Sequence, residues 1–138
     1  MRRLSISILL LIMLMIPASS YVFAADNNFG FSFHIPGGTG SNGQEEKGRY
    51  RQTRHTDNPW KLDFNKSGEG AGTYSDFWLE KSSGKNVSTV RHAKCNGPVY
   101  YTNAYSSASE TTVYLTAENN NKNGSAYTVS GYWDEETW

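Results

Sequence analysis

An all-β fold, a single antiparallel β-sandwich with a flexible N-terminal arm, is what this sequence predicts, and three observations predict it. Apolar and polar residues alternate over short runs, the period of a half-buried strand. Clusters of Gly, Asn, Ser and Pro interrupt those runs at roughly 8–12-residue intervals, the rhythm of sandwich strands and their turns. No window sustains a helical period with a cap; only Ser106 to Glu110 reads as a single turn.

The chain of 138 residues opens with Arg2 and Arg3, an apolar run centred on Ile8 to Ile16, Pro17 and a small-residue stretch ending Val22-Phe23-Ala24. This predicts a secretory signal over residues 1–24, cleaved to leave Ala25 at the N-terminus of an extracellular protein. No later apolar run reaches about 18 residues, so no integral membrane segment is expected after cleavage. Residues 25–48 read as an aromatic arm and Gly-rich linker: Phe29, Phe31, Phe33 and Ile35 alternate as in a strand, and Pro36 to Gly48 form a polar tether. The arm either docks on its own sheet edge, favoured by effective concentration, or self-associates with another copy through Phe29, Phe31 and Phe33.

Residues 49–138 are expected to form the sandwich. Trp60, Leu62 and Phe64 share one face of the first long run, with Lys61 and Asp63 on the other, and Asn65 to Gly68 close it. Residues 72–80 put Thr73, Ser75, Phe77 and Leu79 opposite Tyr74, Asp76, Trp78 and Glu80. Runs follow at 87–93 and 99–105, divided by the Asn96-Gly97-Pro98 turn. In 111–117 Val113, Leu115 and Ala117 point inward, and in 125–133 Tyr127, Val129, Gly131 and Trp133 share a face. Trp60, Phe77, Leu79, Val113, Leu115 and Val129 are accordingly assigned to the core.

Without the leader, Leu, Ile, Val and Phe supply only 14 of 114 residues, and eight Tyr and four Trp must make up the core. A single cysteine, Cys95, excludes an internal disulfide; it is a free thiol, a buried small hydrophobe or an intermolecular link, with the buried reading preferred. Removing Arg2 and Arg3 leaves 11 basic against 13 acidic residues, a balance that disfavours nucleic acid as a partner.

His34, His55 and His92 are isolated, no Cys-x-x-Cys or His-Glu-x-x-His spacing occurs, and no nucleophile elbow is present, so no catalytic residue, cofactor or metal is assigned. Ser67 to Gly72 alternates glycines but leads into a strand where a phosphate loop needs a helix, and reads as a turn or bulge. Glu69, Asp76, Glu80, Glu110 and Glu118 are the carboxylates available for glycoside hydrolysis, and solvated strand faces account for them equally well. Asp134-Glu135-Glu136 reads as an acidic tail. Aromatic excess is the one feature above background: Tyr74, Trp78, Tyr100, Tyr101, Tyr105 and Trp138 are the candidate binding residues, since exposed rings beside hydrogen-bonding groups suit sugars, peptidoglycan or a protein surface. The alternative is that tyrosine simply replaces aliphatics in a thin core.

The segments Arg49-Tyr-Arg-Gln-Thr53, Asn58-Pro-Trp60, Ser67-Gly-Glu-Gly70, Gly72-Thr73 with Phe77-Trp-Leu79, Ala117-Glu-Asn-Asn-Asn121 and Val129-Ser-Gly-Tyr-Trp-Asp-Glu-Glu-Thr137 resemble a family of small exported proteins of Gram-positive bacteria classed only as a domain of unknown function. The closing Ser-Gly-Tyr-Trp-Asp-Glu-Glu-Thr is its most specific piece. In composition alone the chain is also similar to the lactococcin-type secreted bacteriocins. Together these readings point to a secreted, non-enzymatic protein that binds a cell-envelope component or a protein partner, with a bacteriocin-like factor as its sharpest form. A small glycan-active enzyme and an arm-exchanging assembly protein are the alternatives.

Overall fold

Alternation places one side of each run in a common interior, and the computed structural model, which describes residues 27–38, 40–121 and 124–137, shows two antiparallel sheets packed on that side. Residues 1–24, where a signal is expected, Ala25 and Trp138 lie outside the described residues. The strands are β1 (Phe29–Ile35), β2 (Gly43–Gln44), β3 (Arg49–Arg51), β4 (Trp60–Ser67), β5 (Tyr74–Glu80), β6 (Arg91–Lys94), β7 (Tyr100–Thr102), β8 (Thr111–Asn119) and β9 (Tyr127–Asp134), with a 3₁₀ turn at Ser106–Ala108. One sheet has the order β1-β9-β4-β7. The other runs β2-β8-β5-β6, with β3 also paired to β8.

The strand phases read from the sequence hold. Trp60, Phe77, Leu79, Val113, Leu115 and Val129 are all fully buried. Phe77 of the second sheet meets Phe64 and Phe31 of the first edge-to-face, at ring separations of 5.0 and 6.0 Å, so aromatic edges interlock where a richer sequence would use aliphatics. Ser75 and Tyr127 hydrogen-bond hydroxyl to hydroxyl across the same interior at 2.9 Å, which satisfies the polar end of a buried ring. Cys95 is buried, and that burial pushes its thiol pKa up, away from the reactive thiolate.

The runs expected at 87–93 and 99–105 are shorter as strands, reduced to β6 and β7 with single bridges at Glu80–Asn86 and Ser88–Ala104. A side chain interrupts the ladder there: Ser88 Oγ accepts the Leu79 N–H at 2.8 Å, taking the place of a backbone partner.

The aromatic arm docks on its own sheet. Every residue of β1 pairs with β9, from Phe29 opposite Trp133 to Ile35 opposite Tyr127, and Phe31, Phe33 and Ile35 are buried in the shared core. The guanidinium of Arg49 lies over the Phe29 ring, 3.0 Å from its centroid. Of the two docking modes, the single chain shows the intramolecular one: Phe31 and Phe33 lie in the shared core, and Phe29 packs against it beneath the Arg49 guanidinium.

Both flanks of the sandwich are stitched. On one, β2 passes so near β1 that a Cβ at Gly43 would strike the His34 carbonyl, and only glycine fits the approach. On the other, Arg91 of β6 donates to Thr102 Oγ1 at 2.8 Å and to the Tyr101 carbonyl at 3.1 Å, both on β7. Among the described residues no helix is long and apolar enough to cross a membrane.

Candidate functional site

A strand's two-residue period sends neighbours to opposite faces, and this separates the six candidate binding residues. Tyr74 and Trp78 lie on the outer face of the second sheet. Tyr74 stacks flat on His92 at 4.5 Å, and His92 Nδ1 sits 2.7 Å from the Asp76 carboxylate. Trp78 is buried despite its outward phase, its indole N–H donating to Glu80 at 2.7 Å, while the other Glu80 oxygen accepts from Gln44 at 3.2 Å. Tyr100 packs against the core, and its hydroxyl accepts the Lys94 N–H at 2.9 Å. Tyr101 points the opposite way, to the outer face of the first sheet. Tyr105 is exposed at the start of the 3₁₀ turn, and Trp138 falls outside the described residues.

Tyr101 acquires a partner that the sequence reading had not selected. Lys61 is the register partner of Tyr101 on β7, and Asp63 is the register partner of Tyr132 on β9, so β4 carries two polar side chains between two tyrosines. The result is a groove of about 390 Å³ lined by Asn28, Lys61, Asp63, Val99, Tyr101 and Tyr132. Tyr101 and Tyr132 are 48% and 50% exposed, whereas Lys61 is only 5% exposed and lies at the base between them. Tyr132 occupies the polar phase of the last run, opposite Trp133, which is the same signal that singled out Tyr74 and Trp78.

A bulge builds a second hollow on the other side of Tyr132. The β4–β9 register shifts between Phe64 and Lys66, so the extra residue Asn65 and its neighbour Lys66 both line the outer face. Asn65 Nδ2 donates to Asp63 Oδ1 at 2.9 Å and ties the two hollows together. Gly30, Ser130 and Gly131 help to line this space of about 290 Å³, and the small residues leave it open.

The acidic C-terminal segment is buried, contrary to the tail that its composition suggests. Arg49 pairs with the Glu135 carboxylate, and Arg51, 1% exposed, donates to the carbonyls of Glu135, His55 and Asn58. The Glu136 carboxylate accepts the N–H groups of Gln52 at 2.9 Å and Thr53 at 2.8 Å. Thr137 donates its N–H to Asn58 Oδ1 at 3.2 Å and its hydroxyl to the Pro59 carbonyl at 3.0 Å. Burial of these charges is tolerated because each finds partners. The segments Arg49 to Thr53, Asn58 to Trp60 and the closing motif therefore form one clasp. It also sets one wall of the groove, since Asp134 Oδ2 accepts the N–H of Asn27, the residue before Asn28.

Burial, with the neighbouring Glu135 charge adding to it, raises the Asp134 pKa to about 7, against the lowering effect of the Glu136 and Asn27 N–H groups. The folded state thus holds this proton more tightly than the unfolded chain, and the stability so gained is present below about pH 4 and lost as pH rises through about 7. At about 1.4 kcal/mol per pKa unit, up to about 4 kcal/mol is at stake. Asp134→Asn should flatten the dependence of the denaturant midpoint on pH between 4 and 7. A variant whose profile retains the wild-type slope would place that dependence elsewhere.

No curated protein and no solved structure matches this chain. The segments that meet in the clasp and along the strands lie within one family match, over residues 18–137, and by that match the chain belongs to the family described as "Protein of unknown function (DUF2712)".

Proposed function

We propose that this is an exported, non-enzymatic protein of Gram-positive bacteria that binds a cell-envelope component or a protein partner, and that its contact surface is the outer face of the β1-β9-β4-β7 sheet. The supporting observation is the pair of half-exposed rings, Tyr101 and Tyr132, set on either side of Lys61 and Asp63 in an open groove. Rings with polar rims give contact area at small entropic cost, the property that enriches tyrosine in recognition surfaces. The compositional likeness to lactococcin-type bacteriocins makes the envelopes of neighbouring cells the first target to test.

The test is cosedimentation of the mature protein with isolated Gram-positive envelopes. Tyr101→Ala and Tyr132→Ala should each weaken retention about tenfold, the equivalent of about 1.4 kcal/mol, with melting temperature unchanged because both rings are half exposed. Retention equal to wild type in both variants would remove this face from the function.

A glycan-active enzyme is the second reading, favoured by one arrangement on the other sheet. Asp76 and Glu118 are directly opposite each other on β5 and β8, beside Tyr74 and His92, the cross-strand geometry that brings two carboxyl groups within several ångströms. Release of reducing ends from envelope glycan that vanishes in both Asp76→Asn and Glu118→Gln would decide for it.

A further inference from the structure

We infer that the outer face of the β1-β9-β4-β7 sheet takes an uncharged glycan, a chain of β-linked pyranose rings stacked on Tyr132. The inference rests on the reading of that face as the binding surface and names what it binds. The posture of one ring, the groups on either side of it and the balance of charge carry it.

Tyr132 stands between Gly30 of β1 and Asp63 of β4, its two register partners. A Cβ on Gly30 would lie only 3.9 Å from Tyr132 Cε1, so the ring leans over the glycine instead of standing upright from the sheet. One face of the ring covers the β1 backbone and the opposite face is left to solvent, in a side chain that is 50% exposed. Among the described residues no second ring packs on it. A flat apolar plate of this kind takes another ring by stacking, and the C–H face of a pyranose fits it.

The groups on either side favour a ring with hydroxyl edges. Hollows of about 390 and about 290 Å³ share Tyr132 as a wall, with Asn28 and Tyr101 lining the larger and Asn65 and Ser130 the smaller. A chain crossing Tyr132 therefore meets polar side chains at its edges on both sides. A lipid or other purely apolar occupant would cover those groups without giving them partners. A peptide adding as a strand would need an open edge, and both edge strands of this sheet have backbone groups taken by side chains. Ser32 on β1 donates its N–H to the Glu45 carboxylate at 3.2 Å, and the Tyr101 carbonyl on β7 accepts from Arg91 at 3.1 Å.

Charge decides the class of glycan. Lys61, 5% exposed, is in register opposite Asp134, and Asp63 accepts the Asn65 amide at 2.9 Å. With Lys66 exposed beside the smaller hollow, two lysines face two carboxyl groups. The face has no surplus charge with which to hold an anionic or a cationic polymer, and an uncharged chain gives up no ionic hydration on docking.

The mature protein is titrated calorimetrically with chitohexaose, an uncharged β-linked hexamer, at about pH 8, above the Asp134 pKa of about 7, so that both carboxyl groups are largely ionised. Saturable binding is expected, equal at about 20 and about 500 mM salt because no ion pair holds the chain. It should be at least about tenfold tighter than binding of N-acetylglucosamine alone, which cannot reach both hollows. Tyr132→Ala should weaken it about tenfold with melting temperature unchanged, and Tyr50→Ala, a similarly exposed ring on β3, should not weaken it. The inference is overturned if chitohexaose does not bind, if its binding falls with salt, if the single sugar binds as tightly, or if the two variants behave alike. A dimer in the ultracentrifuge at the concentrations titrated would put a second copy on this face and overturn it too. The envelope test of Tyr101→Ala and Tyr132→Ala reads the face independently, so loss of the glycan class and loss of the binding face are told apart.

Discussion

A protein beginning at Arg49 is expected to show no cooperative thermal transition. Deleting the preceding residues removes β1 and β2, and with β1 go Phe31, Phe33 and Ile35 from the common core. Burying a side chain of that size contributes about 1.5–3 kcal/mol, so the three together account for about 5–9 kcal/mol of a domain whose whole stability is about 5–15 kcal/mol. The deletion also turns β9 into a bare edge, uncovers Trp133 and Val129, and strips Phe29 from beneath the Arg49 guanidinium. Circular dichroism melting and analytical ultracentrifugation of the two proteins side by side read the effect. A shortened protein with the same melting temperature and the same oligomeric state would mean that β1 contributes nothing to the fold.

Arg51→Met is expected to lower stability by about 3–5 kcal/mol, the usual cost of removing one partner from a buried charged network. The methionine fills much of the same volume, so the loss reports the polar interactions. Three carbonyls, of Glu135, His55 and Asn58, lose their donor, and the buried carboxylate of Glu136 loses the cation whose field it shares. Arg51→Lys should fall between the two, because an ammonium is a point donor and cannot span carbonyls on two separate segments as a guanidinium does. The double variant Arg51→Met with Glu136→Gln should be less destabilised than the sum of its parts, the sign of a coupled pair. Urea midpoints with unchanged slopes give these values. Strict additivity, or a stable Arg51→Met protein, would reduce the clasp to ordinary packing.

Strand phase was legible because burial alternates with a local period. Phe77 and Leu79 against Asp76, or Val113, Leu115 and Ala117 against Tyr114, declare their inner face within a few residues, and the all-β sandwich follows from many such runs divided by turns. The same local rule sends Tyr100 and Tyr101, both candidate binding residues, to opposite faces of β7. Pairing was not legible, since register between distant strands is set by the fit of two sheets and by turns. It alone brings Tyr101 beside Lys61, and Asp63 beside Tyr132, into one groove, and a single bulged residue at Asn65 opens the second hollow.

The acid-rich end shows the limit most plainly. Asp134, Glu135 and Glu136 read as solvated because an isolated buried carboxylate is too costly, and no property of those residues alone reverses that reading. Their burial depends on Arg49, Arg51 and the N–H groups of Gln52, Thr53 and Asn27, more than eighty residues away in the chain. Sequence by itself determined which side of each strand is apolar and that aromatic rings must supply the core. Tertiary structure decided which strands are neighbours, where the arm docks and which charges lie inside, because each of those depends on partners that only the closed sandwich brings within hydrogen-bonding distance.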